Sequence, residues 1–182
     1  PLLIGLRWFG ANFGGTIATA AALWTFVLAR SRTRFGRREL ALVVAATLAQ
    51  TALVVIVDLA FRSESQSHLG LAFAQPSSLM ETALRKWRAN LGYFAVTPFT
   101  YGTVAIALVF TSFVRWRPAR IERICTHWPG VPALLTAGAV GIWTALLAND
   151  SGIVMLDQMI QVLVPSLLLV ALANQPTSQP AN

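Results

Sequence analysis

Four short polar clusters interrupt an otherwise apolar chain, and their residues are the ones that could do chemistry. They are Gly10-Ala11-Asn12-Phe13-Gly14-Gly15, the stretch from Asp58 through Ser67-His68-Leu69-Gly70, Arg85-Lys86-Trp87-Arg88-Ala89-Asn90, and Asn149-Asp150-Ser151-Gly152. Asp150 is a carboxylate that could bind a cation or a basic partner residue, and Asn149 and Ser151 beside it are types that cap helix starts. Asp157 follows seven residues later with Gln158 and Gln161. An ionisable group inside an apolar run is costly unless paired or hydrated, so Asp157 is either a functional carboxylate or half of an ion pair with an arginine such as Arg7 or Arg88.

The remaining candidates are of mixed character. Asp58 stands four residues before Arg62, a spacing that favours a local ion pair. His68 is a lone histidine, and the sequence offers no set of three or four ligands at zinc spacing, nor does Cys125-Thr126-His127 supply one. No metal and no cofactor is expected. Gly10 and Gly14 have the spacing of a close helix crossing, continued by small residues at Gly15, Ala18 and Ala22. The same glycines could face an anion from a helix N-terminus, but they lack the lysine and the spacing of a nucleotide-binding loop. Nucleophile elbows, serine-histidine-aspartate arrangements and HExxH helices are absent from the sequence, so no catalytic residue can be named. Asn12, Asp58, His68, Arg85, Arg88, Asn90, Asn149, Asp150 and Asp157 form the candidate polar set.

The elements that carry this set are membrane helices. Of the 182 residues, 55% are hydrophobic and 12% are charged, and mean hydropathy is +0.62, too apolar for an ordinary soluble domain of this length. A net charge of +7 would suggest nucleic acid in a soluble protein. Here the basic residues flank apolar runs, which points to membrane topology and to no nucleic-acid partner.

Crossing about 30 Å of hydrocarbon takes roughly 20 residues at about 1.5 Å each. Five runs meet that requirement, near 10–29, 40–57, 93–114, 131–148 and 153–173. Pro98 and Pro165 lie inside two of them, where each could kink a helix. The loop with Arg30, Arg32, Arg34, Arg37 and Arg38, and the loop with Arg115, Arg117, Arg120 and Arg123, are an even number of crossings apart. The positive-inside rule assigns both to the cytoplasm. The Pro1 end is then outside, the polar tail 175–182 is inside, and all four clusters face the non-cytoplasmic side. Trp8, Phe9 and Trp87 near the outer interface, and Trp24, Trp116 and Trp128 nearer the inner one, fit an aromatic belt.

One further helix is predicted over about 78–92, where Met80, Leu84, Trp87, Leu91 and Phe94 recur at steps of four and three while Arg85 and Lys86 project away. It could lie in the outer interface, its apolar face in lipid and its cations near anionic headgroups, or pack against the bundle or another domain. The fold expected is therefore all-α: a transmembrane domain over 1–174, a polytopic helix bundle of about five spans with one amphipathic interfacial helix.

Taken together, the four clusters resemble the C-terminal membrane region of a family of large, poorly characterised bacterial multi-pass membrane proteins, some labelled phosphatase-like. The resemblance covers nearly the whole chain. It departs from that family's pattern at Phe61-Arg62 and Leu71-Ala72, where the family has an Arg-Pro pair and an arginine or phenylalanine. It implies a bacterial cytoplasmic (inner) membrane location and an upstream part of the same protein as partner, besides the lipid bilayer. The opening at Pro1, without methionine and already apolar, agrees with an origin inside a longer chain.

Three functions fit these expectations. The segment anchors and positions an extracytoplasmic part of a larger cell-envelope protein. Alternatively it belongs to a transporter, with Asp157, Gln158 and Gln161 lining a polar route beside Pro165. A third reading is an enzyme acting on a lipid-linked phosphate at the outer interface through Asp150, His68 and Arg85 or Arg88.

Overall fold

The structure is a computed structural model of the chain and describes residues 13–31, 35–60, 76–116, 122, 125, 126, 128, 130–149 and 152–173. Among these residues there are six long helices and no strand. We number them α1 (Phe13–Ser31), α2 (Arg37–Ala60), α3 (Pro76–Val96), α4 (Phe99–Trp116), α5 (Val131–Ala148) and α6 (Gly152–Ala173).

Local chemistry explains where several of them begin. At the start of α2 the Gly36 N–H donates to Glu39 Oε2 at 2.9 Å and the Leu40 N–H donates to Gly36 O at 3.0 Å. This is one half of a capping box, with a carboxylate at the positive end of the helix. The first turn of α5 carries Pro132, whose missing N–H costs nothing there. Thr19, Thr111, Thr136, Thr144 and Ser166 each donate a side-chain hydroxyl to the carbonyl four residues earlier. Hydroxyls satisfied within their own helix can sit in hydrocarbon at little cost.

Helix α5 is the centre of the bundle. It packs most extensively on α1, and also on α6 and α4, while α2 packs on α1. The sequence of α5 suits that position, because Ala133, Ala137, Gly138, Ala139, Gly141 and Ala145 let neighbours approach from several sides. A Cβ at Gly141 would lie 3.0 Å from Ala22 Cβ, and one at Gly14 would lie 2.5 Å from Ala148 O. The start of α1 therefore meets the end of α5, and the two run antiparallel. On the other side of α5, Ala107 and Phe110 of α4, Leu135, Ala139 and Ile142 of α5, and Leu156 and Ile160 of α6 form the apolar core.

Three helical stretches, Arg37–Val57, Phe99–Trp116 and Val131–Ala148, are long and apolar enough to cross a membrane, and Gly152–Ser166 is a shorter apolar helix. At most 44% of any of the three is fully buried inside the chain, and α2 and α4 in particular turn many apolar side chains outward. Leu48, Leu53 and Ile56 on α2 and Leu108 and Val109 on α4 are examples. Such surfaces are compatible with lipid and unfavourable in water.

Pro98 acts differently from the kink expected within a single span over 93–114. It separates two helices: α3 ends at Val96, Thr97 and Pro98 form a turn, and α4 starts at Phe99. Pro98 has no N–H to continue the α3 ladder, and Thr97 takes over, its Oγ1 accepting from the Phe99 N–H at 3.3 Å. The Thr100 hydroxyl donates back to Tyr93 O at 3.1 Å, and the Phe94 and Tyr101 rings pack edge to face across the turn at 5.3 Å. By contrast, Pro165 sits within a continuous α6.

Candidate functional site

The end of α5 is where the candidate polar residues meet. Helix α5 stops at Ala148, and Asn149 turns the chain with an extended backbone, φ −101° and ψ 143°. The carbonyls of the last turn lack helical donors, as at any helix C-terminus. Asn90, reaching over from α3, supplies one: its Nδ2 donates to Asn149 O at 2.8 Å and to Leu146 O at 3.2 Å. Asn149 N–H closes the last turn on Ala145 O, and Gly152 N–H donates to Asn149 O at 3.2 Å as α6 begins. Asn149 O thus accepts from both α3 and α6.

Two glycines make this approach possible. A Cβ at Gly14 would meet Ala148 O at 2.5 Å and Asn149 Cα at 2.7 Å; one at Gly152 would meet Leu146 O at 2.5 Å and Leu146 Cα at 2.8 Å. Both collisions are with backbone, so no side-chain adjustment relieves them. Four helices, α1, α3, α5 and α6, are therefore tied at one end of the bundle. The carbonyl-rich C-terminus of α5 is the negative end of its dipole, and the amide of Asn90 donates into it. The Asn90 side chain is buried, and its Oδ1 has no hydrogen-bond partner among the described residues.

The other candidates lie elsewhere. Arg85 and Arg88 are on α3 and exposed, with Glu81 exposed and Lys86 half-buried. Asp157 is half-buried on α6, and its Oδ2 accepts from Gln161 Nε2 of the same helix at 2.6 Å. Asp58 falls in the last turn of α2. Asn12, His68 and Asp150 lie outside the described residues, as do Arg7, Trp8, Phe9 and the whole 61–75 stretch between α2 and α3, including Arg62, the expected partner of Asp58. Among the described residues no group of three or more His, Cys, Asp or Glu could hold a metal.

Sequence reasoning passed over two interhelical polar contacts. Trp24 Nε1 on α1 donates to Gln50 Oε1 on α2 at 2.8 Å, and Trp143 Nε1 on α5 donates to Thr111 Oγ1 on α4 at 2.9 Å. Thr111 passes the bond on to Ala107 O. The signal for the first was a lone glutamine in an aliphatic run, which needs a partner wherever water is scarce.

The arrangement at the end of α5 is chemically a set of backbone acceptors closed by one amide donor and two helix crossings. That composition ties helices together, and the described residues at this end include no nucleophile or general base. Comparison of the chain with protein-family models, curated proteins and solved structures finds no significant match.

Proposed function

We propose that this chain is the C-terminal membrane domain of a larger bacterial cell-envelope protein, anchoring and positioning an extracytoplasmic part. In this reading α1, α2, α4, α5 and α6 cross the cytoplasmic membrane, and α3 lies at its outer face. The Pro1 end and the end of α5 are outside, and the two arginine-rich loops and the tail are cytoplasmic. The resemblance of the four clusters to the membrane region of large multi-pass proteins supports an upstream part as the cargo.

The observation that carries the reading is the closure at the end of α5. Asn90 donates to two carbonyls of that end while Gly14 and Gly152 press backbone against backbone. Of the candidate polar residues in the described part, Asn90 and Asn149 are the two brought together, and they serve packing. A docking floor needs such rigidity, whereas an active site or a substrate route needs space and reactive groups.

Topology is tested by cysteine labelling in a Cys125→Ser background. Cysteine at Ser67 is expected to react from outside, and cysteines at Arg34 and Arg120 only after permeabilisation; labelling of Ser67 and Arg34 from the same face overturns the arrangement. The functional reading is tested on the whole protein. His68→Ala, Asp150→Asn and Asp157→Asn should alter stability or docking only. Loss of turnover or of substrate flux in a variant that still inserts, folds and docks its upstream part would remove anchoring as the function.

A further inference from the structure

We infer that the outward face of α6 is a membrane-embedded interface for a second copy of this chain. The inference rests on the reading of α6 as a bilayer span. Helix α6 turns Leu156 and Ile160 into the core. Val154, Gln158, Gln161, Pro165 and Leu169 are all exposed, and at about 100° per residue they fall within roughly a quarter of the circumference, opposite those core residues. The two glutamines thus lie on the face that looks away from the bundle.

Their depth makes that position costly. Counted from Gly152 at about 1.5 Å per residue, Gln158 lies about 9 Å and Gln161 about 14 Å along the helix, well into a hydrocarbon layer about 30 Å thick. Pro165 adds a further polar group, because without an N–H it leaves the main-chain carbonyl of Gln161 without its usual donor. Asp157, at the edge of the same face, draws one hydrogen bond from Gln161. Lipid can answer none of the remaining donors and acceptors.

A second copy answers them without further conditions. Carboxamides both donate and accept, so Gln158 and Gln161 are complementary to themselves. Copies inserted in the same sense hold these residues at the same depth, a match that an unrelated helix would have to achieve separately. Val154 and Leu169 flank the polar pair with apolar contact on either side.

The test uses the whole protein, upstream part included, reconstituted in lipid nanodiscs and liposomes, with subunit number read by single-molecule photobleaching and by energy transfer on dilution, so that a face already covered by the upstream part reads as monomer. Dimers are expected. Gln158→Leu and Gln161→Leu should each weaken them by about three- to thirtyfold, the range for one interhelical hydrogen bond in a membrane. In a Cys125→Ser background, Val154→Cys and Leu169→Cys should form intermolecular disulfides while Leu108→Cys, exposed on α4, should not. A wild-type chain that stays monomeric in bilayers, or dimers indifferent to both glutamine substitutions, or cross-linking through Leu108→Cys instead of α6, overturns the interface. Alkaline extraction of the same samples separates this failure from failure of the membrane reading: protein that is monomeric but retained in membranes refutes the interface alone, and protein that is extracted refutes the span.

Discussion

Asn90 on α3 donates from its Nδ2 to the main-chain oxygen of Asn149, 59 residues away, at 2.8 Å. The same nitrogen reaches Leu146 O, so one amide serves two carbonyls that the end of α5 leaves over. Replacing it by Asn90→Leu keeps the volume similar and removes the donor. Buried acceptors stripped of a partner cost about 1 to 3 kcal/mol, and a loss of that size in unfolding free energy is expected by steric trapping or by thermal unfolding in detergent. Asn90→Asp should be worse than leucine, because a carboxylate would face two carbonyl oxygens at the negative end of the α5 dipole. Equal stability of all three proteins would show that the tie carries no weight.

The glycines sort into those that a side chain would push apart and those that it would not. At Gly14 an added Cβ would strike the backbone of Ala148 and Asn149, so Gly14→Ala is expected to separate α1 from α5 and destabilise by about 1 to 3 kcal/mol, as overpacking does. Gly102 on α4 has nothing among the described residues within 4 Å of its Cβ position. Gly102→Ala should be neutral or stabilising by up to about 1 kcal/mol, the backbone-entropy gain in a helix. Paired thermal melts of the two variants against the wild type make the comparison, and an equal response would contradict the close crossing.

Trp24 and Gln50 join α1 to α2, a helix that packs on α1 and exposes much of its surface. Because α2 has little other attachment, this bond should matter more for holding α2 than for the core. A double-mutant cycle with Trp24→Phe and Gln50→Leu is expected to give a coupling of about 0.6 kcal/mol, and at most about 2 kcal/mol, the range for such bonds in membrane proteins. Additive effects of the two substitutions would mean that the pair contributes nothing.

These relationships also show what could be read from the chain before folding. The apolar runs and their phase were legible: the 131–148 run coincides with α5, and the small residues at Gly14, Ala18 and Ala22 do line a close crossing. Hydropathy could not reveal the break at Thr97 and Pro98, because Tyr93–Val114 carries no charge and reads as one span, and proline is tolerated within α6 at Pro165. What differs is the local hydroxyl chemistry, with Thr97 and Thr100 bonding across the turn. The candidate set gathered nine residues on one side by charge and loop logic. Which of them touch depends on which helix each glycine meets at the end of α5, and spacing marks a close crossing without naming the partner. Gln50 was hidden for the opposite reason, since its partner Trp24 reads equally well as a belt residue.

Helix α3 offers the most direct measure of how the chain meets lipid. Met80, Leu84, Trp87 and Leu91 are exposed along one face, and Arg85 and Arg88 are exposed beside them. Such a helix, tied at Asn90 to the end of α5, should rest in the outer interface with its cations among headgroups. Each cation near an anionic surface contributes about 1 kcal/mol, so a combined Arg85→Gln, Lys86→Gln and Arg88→Gln variant is expected to lose most of any preference for anionic over zwitterionic lipid. Native mass spectrometry of protein released from mixed-lipid nanodiscs reads this as fewer retained anionic lipids, and raised salt should have the same effect on the wild type. If the triple variant retains anionic lipid as the wild type does, the cations of α3 point elsewhere, and a protein surface becomes the better occupant of that face.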